Sequence, residues 1–348
     1  MIRLYGSFRG TLVVASIAIL FTLVAPSILQ FFTIITLTQV IGLSILALSL
    51  ALVWGFGGVL CFGQSAFFGI GAYAYSVAAV NLGGSTGAIL IAMLAAATFA
   101  TLLGYFVFYG KLSDVYLAVI TLTVSLILYS LMRRTSGPEY KIGSALLGGF
   151  NGTGSPPLNI PGNSEAMLFP LQTFYVSMGA LILAYVFAGW LVTTKFGRVC
   201  VSIRENELRT SLLGYDTRLY KLGIFAVSAG IAGLGGVFFC VGVTRVTPDV
   251  FSLGQSALAI IWVIVGGRGT LIGPILATFV LYFLTASLGS QQLMNTNLVL
   301  GGILVIFVLL VPSGVIPSIA KWFELQRVKK FSKLKERRLK MRKHRSVG

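Results

Sequence analysis

Acidic residues are the scarcest chemical resource in this chain. Asp and Glu number 9 in 348 residues, against 26 Lys and Arg, and the only histidine is His344. Charged residues make up 10% of the sequence, far below the roughly 25% of a soluble domain. One histidine in a basic tail excludes histidine metal sites, Ser-His-Asp hydrolysis and histidine proton relays together. Cys61, Cys200 and Cys240 lie far apart, without metal-ligand spacing. No acid or base is predicted at a bilayer centre, where one would cost roughly 3 kcal/mol and mark a functional site. That counts against proton-coupled transport, and less against sodium coupling, which can use carbonyls at broken helices. No catalytic residue and no metal site is assigned.

What is present is apolar. Hydrophobic residues make up 56% of the chain, and mean hydropathy is +0.93. Runs long enough to cross a bilayer are predicted near 11–30, 34–54, 64–82, 86–109, 115–132, 172–193, 222–243, 255–266, 271–289 and 297–312. The expected fold is an all-α polytopic membrane protein with about 9–10 transmembrane helices, some broken at glycine. The period-two alternation of a β-barrel is missing. Residues 1–320 form the expected membrane domain, and 321–348 a basic cytoplasmic tail. The first span follows Arg3 and Arg9 without a small-residue cleavage site, so a retained anchor is expected.

The net charge of +17 follows topology rather than nucleic-acid binding. Twelve of the 26 basic residues lie between Lys321 and Gly348, and most others sit at span ends. With both termini inside, 21 basic residues fall inside and 4 outside, with Arg268 unassigned. The tail would favour anionic membrane lipid. Residues 255–289 fit two crossings or one re-entrant hairpin equally. The outside loop at 133–171 is rich in Gly, Pro, Ser and Asn, and is expected to be a lid, a docking surface or a solvated connection.

Phe62–Ile70 reads FGQSAFFGI and Leu253–Ile261 reads LGQSALAII. The predicted topology sends the two copies into the membrane from opposite sides, the pattern of inverted repeats with a pathway at their interface. Breaks are expected at Gly63, Gly69 and Gly71, and at Gly266, Gly267 and Gly269. Broken backbone survives at membrane depth only when buried or lining a watery path. The alternative for Gly69 and Gly71 is close helix packing. Gln64, Ser65, Thr121, Gln255 and Ser256, with Thr123 and Ser125, are the polar residues within spans, and so the candidates for the path. Hydrogen bonds that merely hold the bundle together are the competing role.

The loop from Lys195 to Lys221 is the only long charged stretch between spans. It carries six Lys or Arg and three acids, Glu205, Glu207 and Asp216. Glu205 and Glu207 are expected early in one short helix with an apolar edge of Leu208, Leu212 and Leu213. Gly214 suits its left-handed stop. A mixed-charge helix on the inner face suits docking to a soluble partner.

Five segments in order resemble a known family: GFGGVLCFGQSAFFGIGAYAY, DVYLAVITLTVSLIL, GGFNGTG followed by SPPL, IRENELRTSLLGYDTRLYKLGIFAVSAGIAGLGG, and VGGRGTLIGP with a later Pro-Ser-Gly. The chain resembles the branched-chain amino acid type of ABC-importer permease, the LivM-like subunit, from about Leu43 to Pro317. The resemblance implies that Arg204, Glu205, Glu207, Leu212 and Gly214 form the coupling loop that meets an ABC ATPase. It also implies a second permease of similar fold, an extracytoplasmic solute-binding protein and an inner-membrane location. ATP would be bound by the partner subunit; this chain has no Walker A motif and no cofactor of its own. Leu208, Arg209 and Thr210 replace the small residues usual after the glutamate. Gly63-Gln64 stands where the family usually has Gly-His. Branched-chain amino acid, urea and short amide all remain open as substrates. The rival function is a stand-alone sodium-coupled carrier or channel.

Overall fold

The computed structural model of the chain describes residues 8–110, 112, 114–290, 301–302, 314 and 318. The predicted tenth span at 297–312, save residues 301 and 302, and the basic tail lie outside the described residues. Eleven helices follow in order: α1 (Phe8–Ile28), α2 (Phe31–Leu50), α3 (Gln64–Leu82), α4 (Ser85–Tyr109), α5 (Asp114–Arg134), α6 (Pro170–Thr193), α7 (Lys195–Glu205), α8 (Glu207–Leu212), α9 (Thr217–Val243), α10 (Leu253–Gly266) and α11 (Ile272–Ser290). Seven of them, α1 to α6 and α9, are long and apolar enough to cross a membrane. The fold is the expected all-α polytopic membrane architecture, and each predicted span up to residue 289 falls on one helix.

α9 is the most deeply buried span and packs on α2, α3 and α4. Small residues allow this. Ala88, Ala92, Ala96, Ala100 and Gly104 recur every four residues along α4, and all are buried. A side chain at Gly71 of α3 would overlap the backbone of Gly233 in α9. Without a hydrophobic drive between helices, such backbone-to-backbone approach supplies the packing energy. Gly69 and Gly71 lie inside the uninterrupted α3, so the expected breaks at these two positions are corrected to close packing. At Gly69 the space is filled by the Phe251 ring.

α2 does break. After Leu50 the chain widens into a π turn over Ala51–Phe56. It then runs irregularly to Gly63, which stands at the start of α3. At the second predicted break, α10 ends at Gly266, and Gly267 follows with φ +108°.

Residues 255–289 form two oppositely directed helices, α10 and α11, outside the seven long enough to span. Ahead of α10, Arg245 and Val246 form β6 and pair with Gly154 and Thr153 of β3 (Thr153–Gly154) in the 133–171 loop. Beyond α10, the Arg268 guanidinium lies 5.5 Å from the centroid of the Trp54 ring. The Arg268 backbone carbonyl sits against Gly55, whose own carbonyl accepts from Arg204 of the 195–221 loop. The chain thus passes from one loop face to the other between 246 and 268. α10 has 14 residues, about 21 Å of helical rise, and a 3-10 turn at Pro248–Phe251 precedes it. α11 then returns, since Tyr282 donates to Gln39 at 3.4 Å and Gln39 donates to Gly242 O at 3.2 Å, near the far end of α9.

The 133–171 loop is a cap built on short strand pairings, with most of its residues exposed. Lys141–Ile142 (β1) pairs with Ala145–Leu146 (β2), and Asn159–Ile160 (β4) with Asn163–Met167 (β5). The cap is pinned by Tyr75 Oη donating to Pro156 O at 3.1 Å. Asn81 also donates to Ile142 O at 2.8 Å.

Candidate functional site

The two Gly-Gln-Ser-Ala copies both open helices. Gln64 is the first residue of α3; Gln255 lies in the first turn of α10, whose cap is the Ser252 hydroxyl. The helices run in opposite directions. α3 ends beside the 133–171 cap, and α10 ends beside the 195–221 loop. Their equivalent serines meet: Ser65 Oγ lies 2.5 Å from Ser256 Oγ, across 191 residues of chain. This pair is the junction of the two copies.

A polar network surrounds the junction, buried in an otherwise apolar bundle. Gln64, Ser65, Ser256, Ser125, Ser49 and Ser228 are each at most 2% exposed. Proton counting orients it, because each hydroxyl has one proton to give. Ser125 donates to Phe251 O at 2.8 Å, so Ser65 donates to Ser125 across 2.9 Å, and Ser256 donates to Ser65. The chain of hydroxyls has one sense, from α10 through α3 and α5 to the segment ahead of α10.

The same counting fixes Gln64. Ser49 donates to Leu46 O at 2.7 Å, and Ser228 donates to Ser49 O at 2.9 Å. Both hydroxyl protons are committed, so Gln64 Nε2 must be the donor to Ser49 Oγ at 3.1 Å and Ser228 Oγ at 2.8 Å. Gln64 Oε1 is left buried and without a protein partner. A buried amide oxygen left without a donor costs about 1–3 kcal/mol. Gln255 Nε2 is likewise buried without a partner. Thr121 accepts from Gly63 N at 3.3 Å and donates to Ala118 O at 3.0 Å, tying α5 to the start of α3. Thr123 is exposed and donates to Val119 O of its own helix.

Ser49 and Ser228 were not among the sequence candidates. A serine in a span commonly returns its proton to a carbonyl of its own helix, as Ser44 and Ser76 do here. Nothing in one sequence separates that use from a share in a network.

The 195–221 loop differs from the single short helix expected. It forms two helices, with Glu205 closing α7 and Glu207 opening α8. Asn206 separates them because its side chain caps α8, accepting from Arg209 N at 2.8 Å. Ser202 and Thr210 hydroxyls lie 2.8 Å apart and hold the two helices together. Lys221 Nζ meets Glu207 Oε2 at 2.7 Å. Gly214 does take the left-handed conformation, with φ +89°. Leu208, Leu212 and Leu213 are 71%, 79% and 69% exposed, an uncovered apolar edge on a charged loop. Arg204 bonds Glu205 and holds its carboxylate below the usual range, with Arg268 adding to the effect. A lowered pKa contributes above the unfolded value and is lost only as pH falls through the depressed one, so this pair stays ionised at neutral pH.

Over residues 32–309 the chain matches the family described as branched-chain amino acid transport system, permease component. The chain belongs to that family. It is 30% identical over 296 residues to the high-affinity branched-chain amino acid transport system permease protein LivM of Escherichia coli, covering 78% of this chain and 67% of that one. The LivM of Salmonella typhimurium is 29% identical over the same shares. A shorter stretch of 111 residues is 32% identical to the autoinducer 2 import system permease LsrC of Salmonella typhi, 30% of this chain and 31% of that one. No solved structure matches. The permease is a multi-pass membrane subunit of an ABC importer, which displaces the stand-alone carrier or channel.

Proposed function

We propose that this permease carries a branched-chain amino acid through the Gln64–Ser65–Ser256 junction, as half of a path shared with a second permease. The observation that carries this reading is the buried Gln64 Oε1, oriented by two committed serines and lacking a donor. An amino acid ammonium supplies one, as would the N–H of urea or a short amide. Thr121 and Gln255 border the same path. The relatives' names favour the amino acid. The structure holds the junction shut, so passage requires α3 and α10 to separate.

The partners follow from the same reading. A cytoplasmic ABC ATPase binds ATP and receives the Leu208–Leu212–Leu213 edge, which Arg204, Glu205, Glu207 and Gly214 shape. An extracytoplasmic solute-binding protein meets the 133–171 cap. The chain sits in the inner membrane with both termini inside, following the basic residues, and has no ATPase site itself.

The test is ATP-driven uptake by the whole complex in proteoliposomes. Gln64→Leu removes the acceptor while nearly keeping volume. Leucine uptake is expected to fall by roughly tenfold or more, the scale of one hydrogen bond to a charged group, with assembly intact. Unchanged leucine uptake sinks the path assignment. Uptake of urea but not leucine by the parent complex sinks the substrate.

A further inference from the structure

The wide turn at Ala51–Phe56 leaves a backbone carbonyl to be satisfied. In a regular α-helix, Gly55 O would accept from Val59 N–H. Here Val59 N donates to Val53 O at 3.1 Å, and Gly55 O is released. Arg204, at the close of α7, donates from Nη1 to that carbonyl. Its stem rests on the same break, since a Cβ at Gly58 would lie 2.9 Å from Arg204 Cβ and Cγ. The second break presses on the first. The Cβ position of Gly55 is taken by Arg268 O, and the Arg268 guanidinium covers Trp54. Gly314 closes the cluster, with its Cβ position 2.6 Å from Gly267 N.

We propose that Arg204 is the positioning residue through which the coupling loop moves both glycine breaks at once. This rests on the importer reading above. α7 and α8 are held together by Ser202 and Thr210, so displacement of the exposed leucine edge displaces the end of α7. Arg204 passes that displacement to Gly55 O, and the Gly55–Arg268 backbone contact passes it to the end of α10. α10 begins at the Ser65–Ser256 junction. The guanidinium is suited to this because its planar fork holds a carbonyl and Glu205 together. It also satisfies a carbonyl that irregular backbone would otherwise strand.

The test compares Arg204→Met and Arg204→Lys in the complete reconstituted complex, measuring ATP hydrolysis and leucine uptake side by side. Methionine keeps a stem on Gly58 and removes the donors; lysine restores a donor. The expected result for methionine is uptake per ATP hydrolysed lowered by roughly tenfold, one charge-assisted hydrogen bond. Lysine should recover a substantial part of that uptake. Methionine behaving as the parent overturns the proposal. So does an equal fall in hydrolysis and uptake, or loss of assembly, that lysine fails to rescue, since that is a role in folding alone. A parent complex without ATP-driven uptake would instead overturn the importer reading beneath it.

Discussion

At the scale of single residues, the molecule depends on what is missing as much as on what is present. Gly71 has no side chain, and the backbone of Gly233 occupies that space. Gly71→Val is expected to lower stability by about 1–3 kcal/mol through overpacking. The check is a lowered midpoint in detergent thermal unfolding; an unchanged midpoint would mean α3 and α9 are not in this contact. Cys200 offers a second test. Burial pushes its thiol up to about 12, and only the thiolate is nucleophilic. In a Cys61→Ala, Cys240→Ala background, maleimide labelling of Cys200 in the folded protein should be negligible at pH 8 and rise only toward strongly alkaline pH. Fast labelling at pH 8 would show that α7 is not seated against Tyr220. Residue-scale detail was the least legible part of the sequence. Gln64 and Ser65 stood out because amides and hydroxyls are rare in spans. Ser49 and Ser228, which orient Gln64, did not, because hydroxyl direction is decided by neighbours far along the chain.

At the scale of elements, length and apolar composition were enough to place every described span. Helix breaks were harder. Glycine serves both to end a helix and to let two helices touch, and only the partner decides between them. Gly63 and Gly267 stand at real interruptions, while Gly69 sits against Phe251 inside a continuous helix. The split of the inner loop at Asn206 turned on one capping side chain. The two-residue strands of the 133–171 cap are too short to show alternation. The junction of α3 and α10 gives an element-scale prediction. Ser65→Ala and Ser256→Ala remove the two ends of one hydrogen bond, so their effects should not add. A double-mutant cycle by thermal unfolding is expected to give a coupling of about 0.5–1.5 kcal/mol. Strict additivity would mean that the two helices do not meet there.

At the scale of the whole molecule, the loops define two faces. The 133–171 cap and β6 lie on one, and the 195–221 loop, Trp54 and Arg268 on the other. A cysteine at Lys141 should react with a membrane-impermeant maleimide in intact cells, and one at Leu212 only after permeabilisation. Labelling at Leu212 should fall further when the ATPase is present. The reverse pattern would invert the orientation drawn from the basic residues. The separation of the loops into two faces was legible in advance, because charge is sparse and falls almost wholly at span ends. The unassigned Arg268 is the exception; its contacts with Trp54 and Gly55 place it on the face of the 195–221 loop.

The meeting of Ser65 with Ser256 has an energetic consequence. Both hydroxyls are buried and spend their protons in one relay that ends at Phe251 O. Parting α3 from α10 would leave Ser256 without an acceptor and Ser65 without a donor in an apolar bundle, at about 1–3 kcal/mol for each stranded group. That cost falls away when water or the polar groups of a solute enter as the helices part, so separation of the two helices is coupled to wetting of the gap.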